Sequence, residues 1–254
     1  MISIKSSQEI EFMRRSGAIL AKVKRVLREK IKPGVSTEQL DKLASQMITK
    51  LGGQPSFLGY QGYPKTICAS VNEQMIHGLP TSRSLVRGDL LKIDVGVKYR
   101  GYHTDSAFSV EVGQSSPAAQ KLIAVAQAAF WRGVDAIKPG ARVGDVEHAI
   151  GSYVRGQGLT VPTDYSGHGI GTQLHEDPSI FNDGLAGRGP LLRDGMTICI
   201  EPMILQSSSD VKVLDDGWTV VASDGKLTAH YEETILIENG QAVILTQEGG
   251  DGDG

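Results

Sequence analysis

The sequence predicts an α+β fold built from two similar halves, and three observations support this. The tetrapeptide Ile-Lys-Pro-Gly occurs twice, at 31–34 and at 137–140. Each copy lies between two amphipathic helical patterns. Each helix pair is followed by strand patterns, at 90–112 in the first half and at 195–205 and 230–246 in the second. We therefore expect one compact sheet flanked by helices, with a crevice on the pseudo-twofold axis between the halves.

Helical periodicity defines the first element of each half. Apolar residues recur at helical spacing over 6–28, where Ser6 and Glu9 have the pattern of an N-terminal capping box. The second half has a corresponding pattern over 117–136. We interpret the basic residues at 22–28 as a solvated face of the first helix, because charge runs on amphipathic helices usually face water.

Length and composition fit one globular domain. The chain has 254 residues, with 26 basic and 29 acidic side chains and a net charge of −3. This balance argues against a nucleic-acid-binding protein, which would carry a basic excess. We expect a single domain over 1–248, with halves at about 1–113 and 114–248. The last segment, 249–254, contains only Gly and Asp and is expected to be a disordered tail.

The sequence lacks the marks of a secreted or membrane-bound chain. Its first residues contain no apolar region of a signal peptide, and no apolar run approaches the roughly 20 residues of a membrane span. The two cysteines, Cys68 and Cys199, lie in separate apolar stretches, and no CxxC zinc pattern occurs. We therefore expect a cytoplasmic protein.

Acidic residues occur inside two strand patterns of the first half. A buried-strand pattern over 90–97 contains Asp94, and the next strand pattern contains Asp105. The intervening Lys-Tyr-Arg-Gly predicts a hairpin turn. With Tyr99 and Arg100 as the loop, Asp94 would face Asp105 directly, at a Cβ separation of about 5 Å. Like charges this close need a shared proton, a basic side chain or a cation between them.

The second half repeats this arrangement. Glu201 ends the strand pattern at 196–203, and Glu232 and Glu233 begin the final strand. The crevice would therefore collect four carboxylates, whose ionisation away from water is strongly unfavourable without compensation. Two divalent cations would balance the four charges.

A histidine between two glycines completes the predicted site. His168 lies in the sequence Gly-His-Gly-Ile-Gly, where the small neighbours let the ring approach a partner closely. Oxygen ligands with one imidazole are typical of a catalytic, partly hydrated Mn, Fe, Co or Zn site, and not of a closed structural zinc site. A single acid in a strand is often structural, but four acids and this histidine, repeated across two halves, favour the metal site. His103 is more simply a packing histidine.

A series of short motifs is specific in its order and spacing. The motifs are Gly59–Lys65, Val71–Glu73 leading to His77-Gly78, Ile93–Gly96, Gly101–Asp105, Gly167–Gly171, His175–Pro178, Ile200–Met203, Asp216–Thr219 and Tyr231-Glu232. With these motifs the chain resembles a type I methionine aminopeptidase of the short bacterial form over nearly its whole length. The resemblance implies the pita-bread fold, a pseudo-twofold α+β arrangement with a curved, mainly antiparallel sheet flanked by helices. It also implies that the domain at 1–248 is catalytic.

The resemblance further implies roles for individual residues. Two divalent ions (Co, Mn, Fe or Zn, with the identity open) would be held by Asp94, Asp105, His168, Glu201 and Glu232. Glu201 would also accept the proton of the attacking water, His175 would polarise the scissile carbonyl, and His77 would bind the substrate backbone. The side-chain pocket would be lined by Tyr60, Tyr63, Cys68, Leu174 and Trp218, with His77 and His175 at its edge.

The activity implied is removal of the initiator methionine from nascent proteins and peptides when the next residue is small, by attack of metal-activated water. The expected partners are nascent N-termini and a transient ribosome contact. No membrane or sequence-specific nucleic acid is expected, and the chain is expected to be a monomer. Two residues depart from the family pattern. Leu174 stands where Phe is frequent and should widen the pocket, and Glu233 stands where His is frequent and should place a second carboxylate near the metals.

Two alternatives remain open at this stage. An Xaa-Pro-type aminopeptidase of the same fold usually has a large additional N-terminal domain, and the roughly 90 residues before Asp94 are expected to be too few for it. A metal-free binding module of the same fold would have lost metal ligands, whereas all five ligand types are present here.

Overall fold

The structure is a computed structural model that describes residues 2–114 and 116–248. The predicted tail at 249–254 lies outside the described residues. Four α-helices form two pairs: α1 (Ser7–Lys30), α2 (Thr37–Lys50), α3 (Pro117–Asp135) and α4 (Val143–Gly156). The capping box predicted for α1 is confirmed, since Ser6 accepts from the Glu9 backbone while the Glu9 side chain accepts from the Ser6 backbone. None of the helices in this part of the chain has the length and apolar character needed to cross a membrane.

Fourteen strands are present in the described residues, most of them short. They are β1 (Gln54–Pro55), β2 (Ile67–Val71), β3 (Gln74–Ile76), β4 (Leu90–Tyr99), β5 (Tyr102–Glu111), β6 (Ser166–Gly169), β7 (Glu176–Phe181), β8 (Thr197–Ile200), β9 (Met203–Leu205), β10 (Val211–Val213), β11 (Val220–Ala222), β12 (Thr228–His230), β13 (Glu232–Glu238) and β14 (Gln241–Ile244).

Nine of these strands form one antiparallel sheet. Its order is β1, β4, β5, β13, β8, β6, β7, and β2 pairs with β4 while β14 pairs with β13. The central pair, β5 and β13, joins a strand from the first part of the chain to one from the second. The fold is thus the α+β sheet with flanking helices that the sequence predicts.

The two Ile-Lys-Pro-Gly copies form equivalent turns. Gly34 and Gly140 have φ values of 90° and 86°, which glycine adopts without a steric penalty. Pro33 packs against Gly113, and Pro139 packs against Gly240; a Cβ on either glycine would lie 3.0 Å or 2.9 Å from the proline ring. The repeated tetrapeptide therefore connects each helix pair to a strand end in the same way.

The helices cover one face of the sheet with two apolar cores. Leu20 and Leu27 of α1 pack with Ile93 of β4, and in the second cluster Phe130 of α3 packs with Ile235 of β13. Because side chains alternate along a strand, the residues next to Ile93 and Ile235 face the opposite side. The helix-free face is therefore available for polar side chains.

The predicted hairpin register is wrong by one residue in each strand. The turn residues are Arg100 and Gly101, with φ values of 48° and 92°, and Tyr99 pairs with Tyr102. Two consecutive positive φ values are typical of a type I′ turn, which suits the twist of a two-residue hairpin. As a result Asp105 lies opposite Gly96, so it is a diagonal neighbour of Asp94 on the same face.

The interpretation of residues 22–28 as a solvated face is also wrong in part. Lys24 is buried, and its Nζ lies 2.6 Å from Glu233 Oε2 beneath the sheet. The Arg28 guanidinium lies over the Phe108 ring, 3.8 Å from its centroid. Both residues belong to the interface between α1 and the sheet.

Candidate active site

A cavity of about 140 Å³ lies on the side of the sheet opposite the four α-helices. It is lined by every residue that the sequence analysis nominated for metal binding, catalysis or the side-chain pocket, together with Phe57 and Gln61. The nominated residues are Asp94, Asp105, His168, Glu201, Glu232, His77, His175, Tyr60, Tyr63, Cys68, Leu174 and Trp218. Segments from both halves of the chain contribute to this lining.

Strand register brings the acidic side chains together. Asp94 of β4 pairs with Ala107 of β5, and Ala107 pairs with Glu232 of β13, so the three form one row across the sheet. Asp105 is two residues from Ala107 and therefore projects from the same face. Single ligand oxygens of Asp94, Asp105 and Glu232 lie within 4.8 Å of one another. Glu201 follows β8 and completes the acidic wall of the cavity.

Burial shifts the pKa of all four carboxyl groups upwards, and repulsion between the acids adds to the shift for three of them. Burial raises the pKa of Asp105 to about 7. Burial and the charges of Asp105 and Glu201 raise the pKa of Asp94 far above its usual range, and burial and neighbouring acids do the same for Glu201 and Glu232. The cluster therefore favours any cation that replaces its protons.

Two carboxylate oxygens in the cavity have no hydrogen-bond partner among the described residues. Asp94 Oδ1 and Glu232 Oε1 are buried and unpaired. Buried carboxylate oxygens normally accept hydrogen bonds, and a role in binding an ion is one accepted reason for an exception. The donor set of hard oxygen atoms with a neutral imidazole fits a divalent metal.

His168 is held in place by close approach of its neighbouring strands. A Cβ on Gly167 would lie 2.3 Å from the Cys199 carbonyl oxygen, and one on Gly169 would lie 2.1 Å from that of Asp177, so neither position accepts a larger residue. The Nδ1 of His168 lies 2.8 Å from the Gly169 carbonyl oxygen. This leaves Nε2 directed at Glu201, 3.6 Å from Oε1. Burial and the nearby His175 lower the pKa of His168 to about 3, so the ring is neutral and able to ligate a metal.

An aromatic wall faces the acidic cluster. The Tyr63 ring makes an edge contact with Trp218, with centroids 5.0 Å apart, and Tyr63 also packs edge-on against Phe57. Asp216 holds the Trp218 loop by accepting from the backbone N–H groups of Trp218 and Thr219. Burial and the neighbouring Asp94 raise the pKa of the Cys68 thiol, so its sulfur is neutral. The cavity thus joins an apolar aromatic and sulfur-containing wall to a set of carboxylates.

Two further histidines lie at the cavity edge. The Nδ1 of His175 lies 2.8 Å from the Tyr60 hydroxyl, and its ring contacts His168 with centroids 4.3 Å apart. His77 follows β3 with a φ of 56° and makes an edge contact with Tyr165. Burial lowers the pKa of both rings, to about 4 for His77. Both are therefore neutral near pH 7, and each can donate one hydrogen bond.

Comparison with known proteins places this geometry in a family. A profile of metallopeptidase family M24 matches residues 11–239. The methionine aminopeptidase of Clostridium perfringens is 46% identical over 246 residues, which cover 97% of this chain and 99% of that relative. The crystal structure of methionine aminopeptidase from Thermotoga maritima superposes with a TM-score of 0.96 at 42% identity, covering 98% of this chain and 100% of that one.

The chain belongs to metallopeptidase family M24. The resemblance to methionine aminopeptidases that the sequence motifs predict is confirmed by these relatives, and so is the pita-bread fold. Membership of a metallopeptidase family also means that a divalent metal takes part, in agreement with the donor set of the cavity.

More distant family members share only the fold. A prolidase from Pyrococcus furiosus superposes with a TM-score of 0.80 at 24% identity, and the match covers 96% of this chain but 65% of that one. The Xaa-Pro alternative is less well supported than the methionine aminopeptidase interpretation. The relatives with high identity over their full length are methionine aminopeptidases.

The structure places one further histidine beside the acidic cluster, which sequence reasoning missed. His230 of β12 is 1% exposed, and its Nε2 lies 3.4 Å from Glu201 Oε2. A single ligand atom from each of Glu201, His230 and Glu232 lies within 4.8 Å of the others. The sequence signal that could have indicated His230 is its position directly before the Tyr231-Glu232 motif. A single histidine at that position gave no reason to assign it to the site.

The expectation for Glu233 is wrong. It was expected to place a second carboxylate near the metals, but strand alternation directs it to the opposite face from Glu232. There its Oε2 accepts from Lys24 and from the Ser106 hydroxyl at 2.6 and 2.8 Å. Lys24 thus compensates the charge of Glu233 away from the cavity.

Proposed function

We propose that this chain is a metallo-exopeptidase that removes the initiator methionine from nascent proteins and peptides when the next residue is small. The observation that carries the proposal is that four buried or half-buried carboxylates, without a basic partner among the described residues, adjoin an aromatic pocket in one cavity. The family and its full-length relatives support the same activity. The substrate would be the N-terminus of a nascent chain in the cytoplasm.

Charge balance supports two divalent ions. Ionised Asp94, Asp105, Glu201 and Glu232 carry four negative charges, and the neutral His168 adds a nitrogen ligand. These five residues would hold the ions, and Co, Mn, Fe and Zn all suit a mixed oxygen and nitrogen donor set. When bound, the metals would supply Lewis acidity and lower the pKa of a water molecule.

The protein's own residues then perform the proton transfers and hold the substrate. The carboxylate of Glu201 would take a proton from the attacking water and return it to the leaving amine, as general base and then general acid. His175 would donate from its ring to the oxygen on which negative charge develops. His77 would hydrogen-bond the substrate backbone beside the cleaved bond. The carboxylates near the pocket would attract the free α-amino group, which makes the activity that of an exopeptidase.

The aromatic wall would select the side chain. Tyr60, Tyr63, Cys68, Leu174 and Trp218 present apolar surface and sulfur, and an unbranched thioether packs well against both. Leu174 is 2% exposed and belongs to the same apolar cluster as Tyr63 and Cys68, so it would form the floor of this pocket.

A peptide-cleavage assay tests the proposal. The purified chain should release methionine from Met-Gly-Met when Co or Mn is present and should leave an Xaa-Pro dipeptide intact. N-acetylated Met-Gly-Met is the matched control, because it keeps the side chain but lacks the free amine. Cleavage of the Xaa-Pro dipeptide alone, or equal cleavage of the acetylated peptide, would contradict the proposed function.

A further inference from the structure

Glu201 lies between two imidazoles, although the sequence motifs assign only one. His168 Nε2 lies 3.6 Å from Glu201 Oε1, and His230 Nε2 lies 3.4 Å from Glu201 Oε2. The two rings reach this carboxylate from different strands, since His168 belongs to β6 and His230 to β12. His230 therefore has the same relation to one carboxylate oxygen that His168 has to the other.

Both ring nitrogens of His230 lack a hydrogen-bond partner among the described residues. The ring is almost fully buried, so water does not replace these partners from the bulk solvent. Its backbone is fixed, because its N–H donates to Ser109 Oγ and its carbonyl accepts from the same hydroxyl. A buried and unpaired imidazole on a fixed backbone, beside two carboxylates, is the arrangement expected of a metal ligand.

The spacing also suits a shared cation. Two ligand atoms bound to one ion at about 2.1 Å lie roughly 3.0–3.4 Å apart for bond angles between a right angle and the tetrahedral value. The 3.4 Å between His230 Nε2 and Glu201 Oε2 falls in this range, and this pair does not meet hydrogen-bond geometry. Glu232 offers a third ligand atom within 4.8 Å of both.

We propose that His230 is an additional metal ligand, which supplies a second imidazole nitrogen to the divalent cation held by Glu201 and Glu232. This inference rests on the proposed function, because it requires that the carboxylate cluster binds metal. A second nitrogen donor shifts the preference of the site away from Mg and Ca and towards Co, Fe and Zn.

Proton NMR of the Co(II)-loaded chain counts the coordinated imidazoles. Each histidine bound to Co(II) gives a strongly shifted ring N–H resonance that disappears in D₂O. The wild-type chain should show two such resonances, and His230→Gln should show one. One resonance in the wild type, or an unchanged pair in the variant, would overturn the inference.

Metal affinity separates a ligand from a residue that only orients Glu201. Calorimetric titration of the metal-free chain with Co(II) should show a loss of more than about 100-fold in affinity for His230→Gln, above the 10–100-fold typical of a residue that only orients a ligand. The glutamine amide can still donate to Glu201, so full affinity in this variant would show that a hydrogen bond suffices and would contradict ligation. His103→Gln is the matched control, since His103 is also buried but bonds to Ser56 outside the cavity; it should bind Co(II) as the wild type does.

The two proposals fail in different ways. If the wild-type chain binds no Co(II) and cleaves no peptide, the proposed function is wrong. If it binds Co(II) and cleaves peptide but shows a single coordinated imidazole, the assignment of His230 alone is wrong.

Discussion

Glu232 and Glu233 are consecutive residues of one strand, and each is 2% exposed. Glu233 faces the helices, where Lys24, Ser106 and Tyr231 surround its carboxylate. Glu232 faces the cavity, where burial and three other acids raise its pKa and its Oε1 has no hydrogen-bond partner in the described part of the chain. The charge of Glu233 is thus compensated by Lys24 on one face of the sheet, whereas the charge of Glu232 is left uncompensated on the other.

This difference separates a structural carboxylate from a functional one. Burying a charge is tolerable when an opposite charge and hydrogen bonds accompany it, as they do for Glu233. Among residues 2–114 and 116–248, no basic side chain has this role for Glu232 and its neighbours, so bound cations would supply the compensation. Compensation within the protein, and not burial alone, distinguishes the two faces.

The largest expected effect follows from removing one carboxylate on the cavity face. Asp105→Asn takes away a proposed metal ligand whose backbone N–H donates to the Thr234 hydroxyl. We expect loss of activity by at least about a thousandfold and a marked loss of metal affinity, measured by peptide cleavage and calorimetry. Turnover close to that of the wild type would mean that the site is elsewhere.

Substitution of an uncharged cavity residue should reduce catalysis by less and should leave metal affinity unchanged. His175→Ala removes a donor proposed to act on the developing oxyanion, so we expect a decrease in kcat of about 100–1000-fold with little change in KM. Steady-state kinetics at saturating metal provide the measurement. A change in KM alone would contradict the role assigned to His175.

A substitution on the helix-covered face of the sheet should lower the stability of the protein and leave its catalytic activity nearly unchanged. Glu233→Gln leaves Lys24 buried without its partner, and we expect a loss of about 3 kcal/mol in the free energy of unfolding, measured by denaturant titration. Activity per folded molecule should stay within a few-fold of the wild type.

The double variant Lys24→Met/Glu233→Gln is the matched control for this loss. It removes both charges, so it should recover much of the stability that the single variant loses. A single variant that is fully stable but inactive would contradict the division of roles between the two faces.

The smallest expected effect is a pH dependence of metal binding. Burial raises the pKa of Asp105 to about 7 in the metal-free chain. Below that pH the carboxyl is protonated and must release its proton when a cation binds, whereas above it the carboxylate is already ionised. Affinity should therefore fall as the pH decreases from 7 to 6, by up to about tenfold for each proton released. Calorimetry in buffers of different ionisation enthalpy measures that proton release, and an affinity that rises on acidification would be inconsistent with carboxylate ligands.

Much of the cavity could be predicted from sequence because acids within apolar strand patterns are unusual. Asp94, Asp105, Glu201 and Glu232 could each be recognised from adjacent residues alone. The pairing of Asp94 with Asp105 was predicted in the wrong register, since a turn at Arg100 and Gly101 requires positive φ at both residues and the sequence alone favoured a turn one residue earlier. Asp94 and Asp105 lie on the same face in both registers, so the error does not affect the prediction that the two acids lie close together.

Other features depend on contacts that local patterns do not encode. Lys24 meets Glu233 across 209 positions of the chain, and no periodicity in α1 indicates that partner. His230 lies on a strand of three residues, too short to show which way a side chain points. These long-range pairings needed the folded structure.

The most direct test of the central claim is metal titration of the chelator-stripped chain, with methionine release from Met-Gly-Met and bound metal measured together. If the buried carboxylates exist to hold cations, the stripped chain is inactive and activity returns on addition of Co or Mn, with binding that saturates at two ions per chain. Full activity in the stripped chain, or metal binding abolished by Glu233→Gln but not by Glu232→Gln, would contradict the account.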